Sequence, residues 1–326
     1  MIKRIGLLYD GSNTKANADE AYHAEQQKNH TVDQVYDILC KRYTVIKLEV
    51  DENISETLAS SGVDLVFNLS TGMKGESRQS QIPGILEMLG MPYVGSGVLA
   101  HALALNKAMA KCIFQHNHVP TPAFQTFSKK DDLFNGDLKF PLIVKPGCEG
   151  SGFGIHKDSV VYDITELMSK VNDILEAYEP PALVEEFIEG REFTVGIIGN
   201  GENKMTLPIM EIDFKNIPEE QGKFYTYEVK NDFGDQTLYH CPAALSPALE
   251  SSIRESVLAA FDALGCRDVA RVDVRVRDDK VYVIEINSLP GLKAAYSDLP
   301  KMALAAGLSY EALILKILDV AIDRIA

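Results

Sequence analysis

Paired cysteines are the first thing this sequence lacks. Its five cysteines (Cys40, Cys112, Cys148, Cys241 and Cys266) are odd in number, and the nearest two, Cys241 and Cys266, stand 25 positions apart. With no CxxC pair, neither a disulfide framework nor a zinc knuckle is indicated. No apolar run reaches the roughly 18 residues that a membrane span requires. Met1-Ile2-Lys3-Arg4 has the charge of a signal n-region, but the apolar stretch from Ile5 to Tyr9 is too short and Asp10 ends it. Positive charge is scarce as well: 32 Lys plus Arg against 47 Asp plus Glu give a formal net charge of −15. A surface of that sign repels phosphate backbones and anionic lipid, leaving room only for a local basic pocket. The expectation is a cytoplasmic protein whose partners are small molecules, not nucleic acid or membrane. What is present is ordinary globular composition, 46% apolar and 24% charged. At roughly 150 residues per domain, the 326 residues suggest two or three domains.

Strand and helix signals alternate as far as residue 105, which argues for a small parallel α/β domain over 1–105. Ile5 to Tyr9 reads as a strand, and about twenty polar residues then run to His30, longer than most connections within a compact domain. Val35, Ile38 and Leu39 form a helical stripe, Thr44 to Val50 and Val63 to Leu69 read as strands, and Ile82 to Leu89 as a helix stopped by Gly90. A second stretch, 106–190, holds a helix from Lys107 to Gln115, a strand from Phe140 to Pro146, a helix around Asp163 to Tyr178 and a strand from Ala182 to Ile188. The remainder, 191–326, is α+β. In it Ser246-Pro247 opens a helix that ends at Gly265, and Ser309 opens an amphipathic C-terminal helix.

Chemistry concentrates in a hairpin from Val269 to Asn287. Arg271, Asp273 and Arg275 alternate with Val272, Val274 and Val276, while Val281, Val283, Glu285 and Asn287 alternate with Tyr282, Ile284 and Ile286. Burying both apolar sets together pairs Val276 with Tyr282, Val274 with Ile284 and Val272 with Ile286. That register lays Asp273 opposite Glu285 and Arg271 opposite Asn287. Two adjacent carboxylates repel and raise one pKa unless a cation sits between them. Asp, Glu and Asn are hard oxygen donors suited to Mg²⁺ or Mn²⁺, and Arg271 beside them would steady developing negative charge. The plainer reading is a solvated sheet face on which Arg271 and Arg275 pair with the acids.

A second constellation is Lys145-Pro146-Gly147-Cys148-Glu149-Gly150-Ser151-Gly152-Phe153-Gly154, where glycines following an apolar strand let backbone amides approach an anion. It is neither a Walker A loop nor a GxGxxG after a first strand, and standing alone it reads equally as a hairpin connection. A third is Leu183 to Glu192, an apolar strand running into acids, whose backbone suits an adenine edge and whose acid suits ribose hydroxyls. Standing alone it reads as a polar strand end.

Taken in order, Lys107, the Lys145 to Gly154 loop, the Glu185 to Glu192 strand and the Asp273/Glu285/Asn287 triplet follow the pattern of an ATP-grasp fold. Over nearly its whole length the chain resembles the D-alanine–D-alanine ligase family, also through Leu86 to Gly97, Phe224 to Lys230 and Leu289-Pro290-Gly291. The resemblance implies three domains (1–105, 106–190 and 191–326) with ATP between the last two. It implies ligation of a carboxylate to an amine through an acylphosphate, releasing ADP and phosphate. By position, Lys107, Lys145 and Glu149 would serve the ATP phosphates, with Ser151 in the loop covering them. Glu185, Glu186, Phe187 and Ile188 would line the adenine, and Glu192 would take the ribose. Asp273, Glu285 and Asn287 would hold magnesium or manganese, expected as two ions. Arg271, Lys230 and the backbone at Gly291 would serve catalysis, and Glu25, Lys293, Ser297 and Asp298 the amino-acid or carboxylate substrates. A homodimer is left open.

The departures from the family pattern fall on amino-acid contacts. Leu69-Ser70-Thr71-Gly72 lacks the family's His, Asn231 stands for its Tyr, and Lys293 lies in a lengthened loop, Lys293 to Pro300. They leave open a ligase for a different acid and amine, in particular an amine bearing an extra acid or a larger side chain. A kinase on the same scaffold and a non-catalytic nucleotide-binding protein are the remaining alternatives.

Overall fold

The computed structural model describes residues 2–11, 30–150, 152–178 and 181–326. Glu25, Ser151 and most of the polar stretch before His30 therefore lie outside the described residues.

Three sheets carry the chain. The first is built from β1 (Arg4–Asp10), a helix α1 over 30–39, β2 (Thr44–Val50), α2 (Ile54–Ser61), β3 (Leu65–Asn68), α3 (Gln81–Met88) and β4 (Tyr93–Val94). Its strands run parallel in the order β2-β1-β3-β4. Both faces are covered, which is why Ile5, Leu7, Leu8 and Leu65 to Phe67 read as continuous apolar runs. Two helices follow, α4 (Val98–Leu105) and α5 (Lys107–His116), the second capped by Asn106, which accepts from the Met109 amide at 3.0 Å.

The second sheet holds β5 (Phe124–Phe127), β6 (Leu142–Pro146), β7 (Val160–Val161) and, after α6 (Ile164–Ala177), β8 (Ala182–Glu186), in the order β5-β8-β6-β7 and antiparallel throughout. The third begins with β9 (Arg191–Ile198) and continues through β10 (Met205–Thr206), β11 (Met210–Asp213), α7 (Tyr227–Asn231), β12 (Leu238–His240), α8 (Pro247–Ala263), β13 (Val269–Arg277) and β14 (Lys280–Asn287). Its order is β12-β11-β9-β13-β14, with β10 on β9. Ser246 caps α8 as its sequence suggests, and Leu249, Ile253, Val257 and Phe261 press one face of that helix onto β13 and β9. Helix α5 joins the same core through Ala110 and Phe114, while α9 (Asp298–Ala305) packs against β9 of the third sheet and α10 (Tyr310–Ile325) against α9 and β4 of the first.

Two expectations need correction. The acid run from Leu183 to Glu192 is not one strand: β8 ends at Glu186, and β9 starts at Arg191 in a different sheet. Gly190 makes that crossing, since a Cβ there would lie 2.0 Å from the Val276 carbonyl oxygen. The hairpin pairs Arg271 with Asn287, Val272 with Ile286 and Asp273 with Glu285 as expected, but then shifts register. Val274 meets Val283 and Val276 meets Val281, leaving Ile284 unpaired in a bulge. The cause is the turn: Asp278 and Asp279 both have positive φ (51° and 58°), so the loop has two residues rather than three. The bulge moves Tyr282 and Ile284 out of the buried layer and puts Val281 and Val283 into it.

Asp268 ties all this to the first sheet. It is fully buried, accepts from Arg324 of α10 at 2.8 Å on each oxygen, and also accepts from the Gly95 amide and the Asn200 side chain, both at 2.8 Å. Asp268→Ala strands the Arg324 guanidinium and two other donors, the Gly95 amide and the Asn200 side chain, so a loss of about 3 kcal/mol is expected. A thermal melt should show Tm lowered by roughly 4 °C; a shift under ~2 °C would contradict the assignment.

Candidate active site

Between the second and third sheets lies an open cleft, walled by β6 and β8 on one side and by β9, β13 and β14 on the other. Every element that reaches it brings a charged residue. Strand β6 delivers Lys145, β8 delivers Glu185 and Glu186, β9 delivers Glu192, and the paired β13 and β14 deliver Arg271, Asp273, Arg275 and Glu285. Helix α5 adds Lys107 at its first residue, and the glycine-rich segment closes one end with Glu149, Gly150, Gly152 and Phe153. Phe187, Ile188, Ile143 and Ile284 give the other end an apolar lining.

Asp273 and Glu285 sit side by side, as the pairing predicts, and cations attend both. Asp273 accepts from Arg271 Nε and Nη2 at 2.9 and 2.7 Å, from Thr194 Oγ1 at 2.6 Å and from Asn287 Nδ2 at 3.0 Å. Lys107 Nζ lies 3.4 Å from Glu285 Oε2. Burial works to raise the Glu285 carboxyl, but Lys107, Lys145 and Arg271 outweigh it and hold it down at about 2. It is thus held as an anion. Among the described residues no three His, Cys, Asp or Glu side chains form a metal cage. Asp273, Glu285 and Asn287 offer three hard oxygen donors on one face, which suits a divalent ion such as Mg²⁺ that keeps waters and ligand oxygens in its shell.

Lys145 does not point free into the cleft. It donates to Glu185, whose other carboxylate oxygen is 2.6 Å from Lys111 Nζ, and all three side chains are buried. Burial pushes the Lys111 ammonium down to about 8 against the pull of Glu185. Burial also works to raise Glu185, but the two lysines reverse it and hold the carboxyl below its ordinary range. Sequence reading passed over Lys111, although its position four residues after Lys107 places both on one helix face.

The glycine-rich segment is tied down on two sides. Glu149 accepts from Arg78 at 2.9 Å, and its backbone carbonyl accepts from Lys107. On the other side Ile155 accepts from the Tyr227 amide at 2.8 Å, the Phe153 and Tyr227 rings are 5.8 Å apart, and His156 meets Glu228 at 2.6 Å. Helix α7, which carries Tyr227 and Glu228, also places Lys230 in the cleft wall, where burial and Arg271 lower its pKa. Asn231 ends that helix.

The remaining predicted residues gather beyond Arg271. Its Nη1 is 3.4 Å from Asp298 Oδ2 at the start of α9, and Lys301 lies 3.8 Å from the other Asp298 oxygen. Lys301 also sits 3.8 Å above the Tyr239 ring, whose hydroxyl meets that of Tyr225 at 3.1 Å. Ser297 Oγ accepts from the Lys293 amide at 3.1 Å, and a Cβ at Gly291 would approach it to 2.8 Å. The Lys293 ammonium itself rests 4.9 Å over Tyr296. Gly291, Lys293, Ser297 and Asp298 do not line the main cleft. At the edge of the first sheet, Ser70 and Thr71 spend their hydroxyls on Asp10.

A cleft gripped between two antiparallel sheets and lined by paired acids and lysines is the arrangement of the ATP-grasp class. Within that class the chain belongs to the D-alanine–D-alanine ligase family. The model of the D-Ala–D-Ala ligase C-terminus matches residues 113–319. A D-alanine–D-alanine ligase of Carboxydothermus hydrogenoformans is 36% identical over 304 residues, 90% of this chain and 93% of that protein. An uncharacterized protein of Sinorhizobium fredii is 39% identical over 261 residues, 80% and 75% of the two chains. Among solved structures, the D-alanine–D-alanine ligase of Bacillus anthracis complexed with ATP has a TM-score of 0.76 at 26% identity, covering 98% of both chains. The VanG D-Ala:D-Ser ligase of Enterococcus faecalis shares the fold, with a TM-score of 0.76 at 22% identity over 98% of this chain and 100% of that one.

Proposed function

We propose that this protein is an ATP-dependent ligase that joins two amino acids, making a peptide bond with release of ADP and phosphate. The observation that carries the reading is the concentration of Lys107, Lys145, Lys230 and Arg271 around one cleft in a chain of net charge −15. Lys107, Lys145 and the amides of the glycine-rich segment receive the phosphates. Glu186, Phe187 and Ile188 flank the base, and Glu192 faces the sugar. Asp273, Glu285 and Asn287 would hold Mg²⁺ or Mn²⁺, which would supply positive charge to offset that of the phosphates. The carboxylate substrate attacks the γ-phosphate to give an acylphosphate. Arg271, with the backbone at Gly291, then steadies the oxyanion formed as the amine attacks, and phosphate leaves. The reading treats 1–105, 106–190 and 191–326 as three domains with ATP between the last two, and ATP dependence implies a cytoplasmic site of action.

Turnover should release ADP and phosphate in equal amounts with the peptide product. Pyrophosphate among the products would overturn the acylphosphate route.

The amino-acid pair is a finer question, and two observations favour a pair other than two D-alanines. Ser70 and Thr71 are engaged by Asp10, and Asp298 sets a buried carboxylate beside Arg271, where an incoming amine would arrive. In a matrix of amino acids, the highest kcat/KM is expected for a pair containing a larger or more polar amine. If D-alanine pairs lead by about tenfold or more, a ΔΔG‡ of ~1.4 kcal/mol, the family's own activity stands.

A further inference from the structure

Arg275 is a charged residue of the cleft to which this reading gives no role. It stands directly opposite Glu192 in the β13–β9 register, and its Nη1 donates to Glu192 Oε2 at 2.8 Å. Nη2 donates to the Gly190 carbonyl at 3.1 Å and lies 3.4 Å from that of Lys223. The guanidinium carbon sits 4.9 Å over the Phe187 ring, which meets Phe224 edge-on at 5.4 Å. The two side chains are only 7% and 13% exposed, so the pair is largely out of water. The buried Arg275 Nε has no partner among the described residues, and of the two oxygens of Glu192, a residue of the cleft wall, Arg275 engages only Oε2.

A buried guanidinium N–H without an acceptor is costly, so stability alone does not account for the pair. Arg275 pins one oxygen of Glu192 and leaves the other unengaged. Without the guanidinium the Glu192 side chain would lose the hydrogen bond that fixes it. Phe187 and two backbone carbonyls in turn fix the plane of the guanidinium.

We propose that Arg275 is a positioning residue that holds Glu192 with Oε1 free to accept a sugar hydroxyl, so that the cleft selects ribonucleotides over deoxynucleotides. The inference rests on the ATP-dependent reading, and its test separates the two. Calorimetry would measure the affinities of ADP, 2′-deoxy-ADP and 3′-deoxy-ADP for the wild type, Arg275→Met and Arg275→Lys, each first shown to be folded by its thermal melt. The wild type should bind ADP about tenfold more tightly than at least one deoxy analogue, the scale of a lost hydrogen bond to a charged group. Arg275→Met should bring that ratio below about threefold while weakening ADP, and Arg275→Lys should fall between, since an ammonium keeps the charge without the planar fork. If Arg275→Met does not fold, Arg275→Lys decides. Weaker binding with the wild-type ratio preserved would mean a structural ion pair and overturn the proposal alone. Wild-type protein that binds no adenine nucleotide at millimolar concentration would overturn the ATP reading and this inference with it.

Discussion

Glu285→Gln is expected to lower kcat by well over tenfold, more than about 1.4 kcal/mol of transition-state stabilisation, with the fold preserved. The substitution keeps the shape of the side chain and removes one charge. Asp273 and Glu285 face each other across β13 and β14, and Lys107, Lys145 and Arg271 hold Glu285 ionised. A neutral amide oxygen is a poor substitute for that anion toward a hard divalent ion, and it leaves the three cations without their common partner. Turnover with Mg²⁺ and ATP that stays within tenfold of wild type would remove Glu285 from the metal-binding set. An acid titration offers a second reading. The folded carboxyl lies at about 2 against an ordinary 4.5, so its contribution to stability is complete above about pH 4.5 and is lost as pH falls toward 2. The stabilities of wild type and Glu285→Gln should therefore converge over that interval.

What could be read from the sequence was whatever is encoded locally. Helix α8 announces itself by Ser246 as cap, Pro247 at its first position and Gly265 just past its end, and the structure starts and stops it there. The pairing of Asp273 with Glu285 followed from burying Val272 with Ile286, because a one-residue slip near those positions would send carboxylates into the core. Nearer the turn the same logic failed. Register there is set by two consecutive positive-φ aspartates, and a bulge at Ile284 absorbs the difference. Alternation of apolar residues does not reveal a bulge, since Ile284 is as apolar as its neighbours. Long-range charge pairing was hidden for a different reason. The Lys111–Glu185–Lys145 cluster joins a helix to two strands of the second sheet, and nothing near Lys111 names an acid 74 positions later as its partner. Arg275 was visible as one of the charges alternating along β13, but which acid it meets depended on β9 lying beside β13, and the break at Gly190 that puts β9 there arises from a backbone contact with Val276.

Arg271→Lys should be the most damaging single change at the site, with kcat reduced about a hundredfold or more, the scale seen when one donor to a developing oxyanion is removed. The loss should fall on kcat, not on KM for ATP, because Arg271 lies beyond the phosphate-binding lysines toward Asp298. Its guanidinium spans two carboxylates: Nε and Nη2 grip Asp273 as a fork, and Nη1 reaches Asp298. Asp273, Asp298 and Glu285 raise its pKa further above an already high value, so it is a fixed cation throughout. A lysine keeps the charge but offers a single point of donation. It can meet Asp273 or Asp298 but not fork onto one while reaching the other, and the uncovered carboxylate would then repel the negative charge that develops as the amine attacks. Charge alone is thus predicted to be insufficient, and geometry decisive. A single-turnover comparison of ATP cleavage with peptide formation locates the defect: peptide formation should suffer more, since the oxyanion forms in the second step. Turnover within tenfold of wild type, or equal losses in both steps, would show that Arg271 only balances the charge of Asp273 and that the oxyanion is steadied elsewhere.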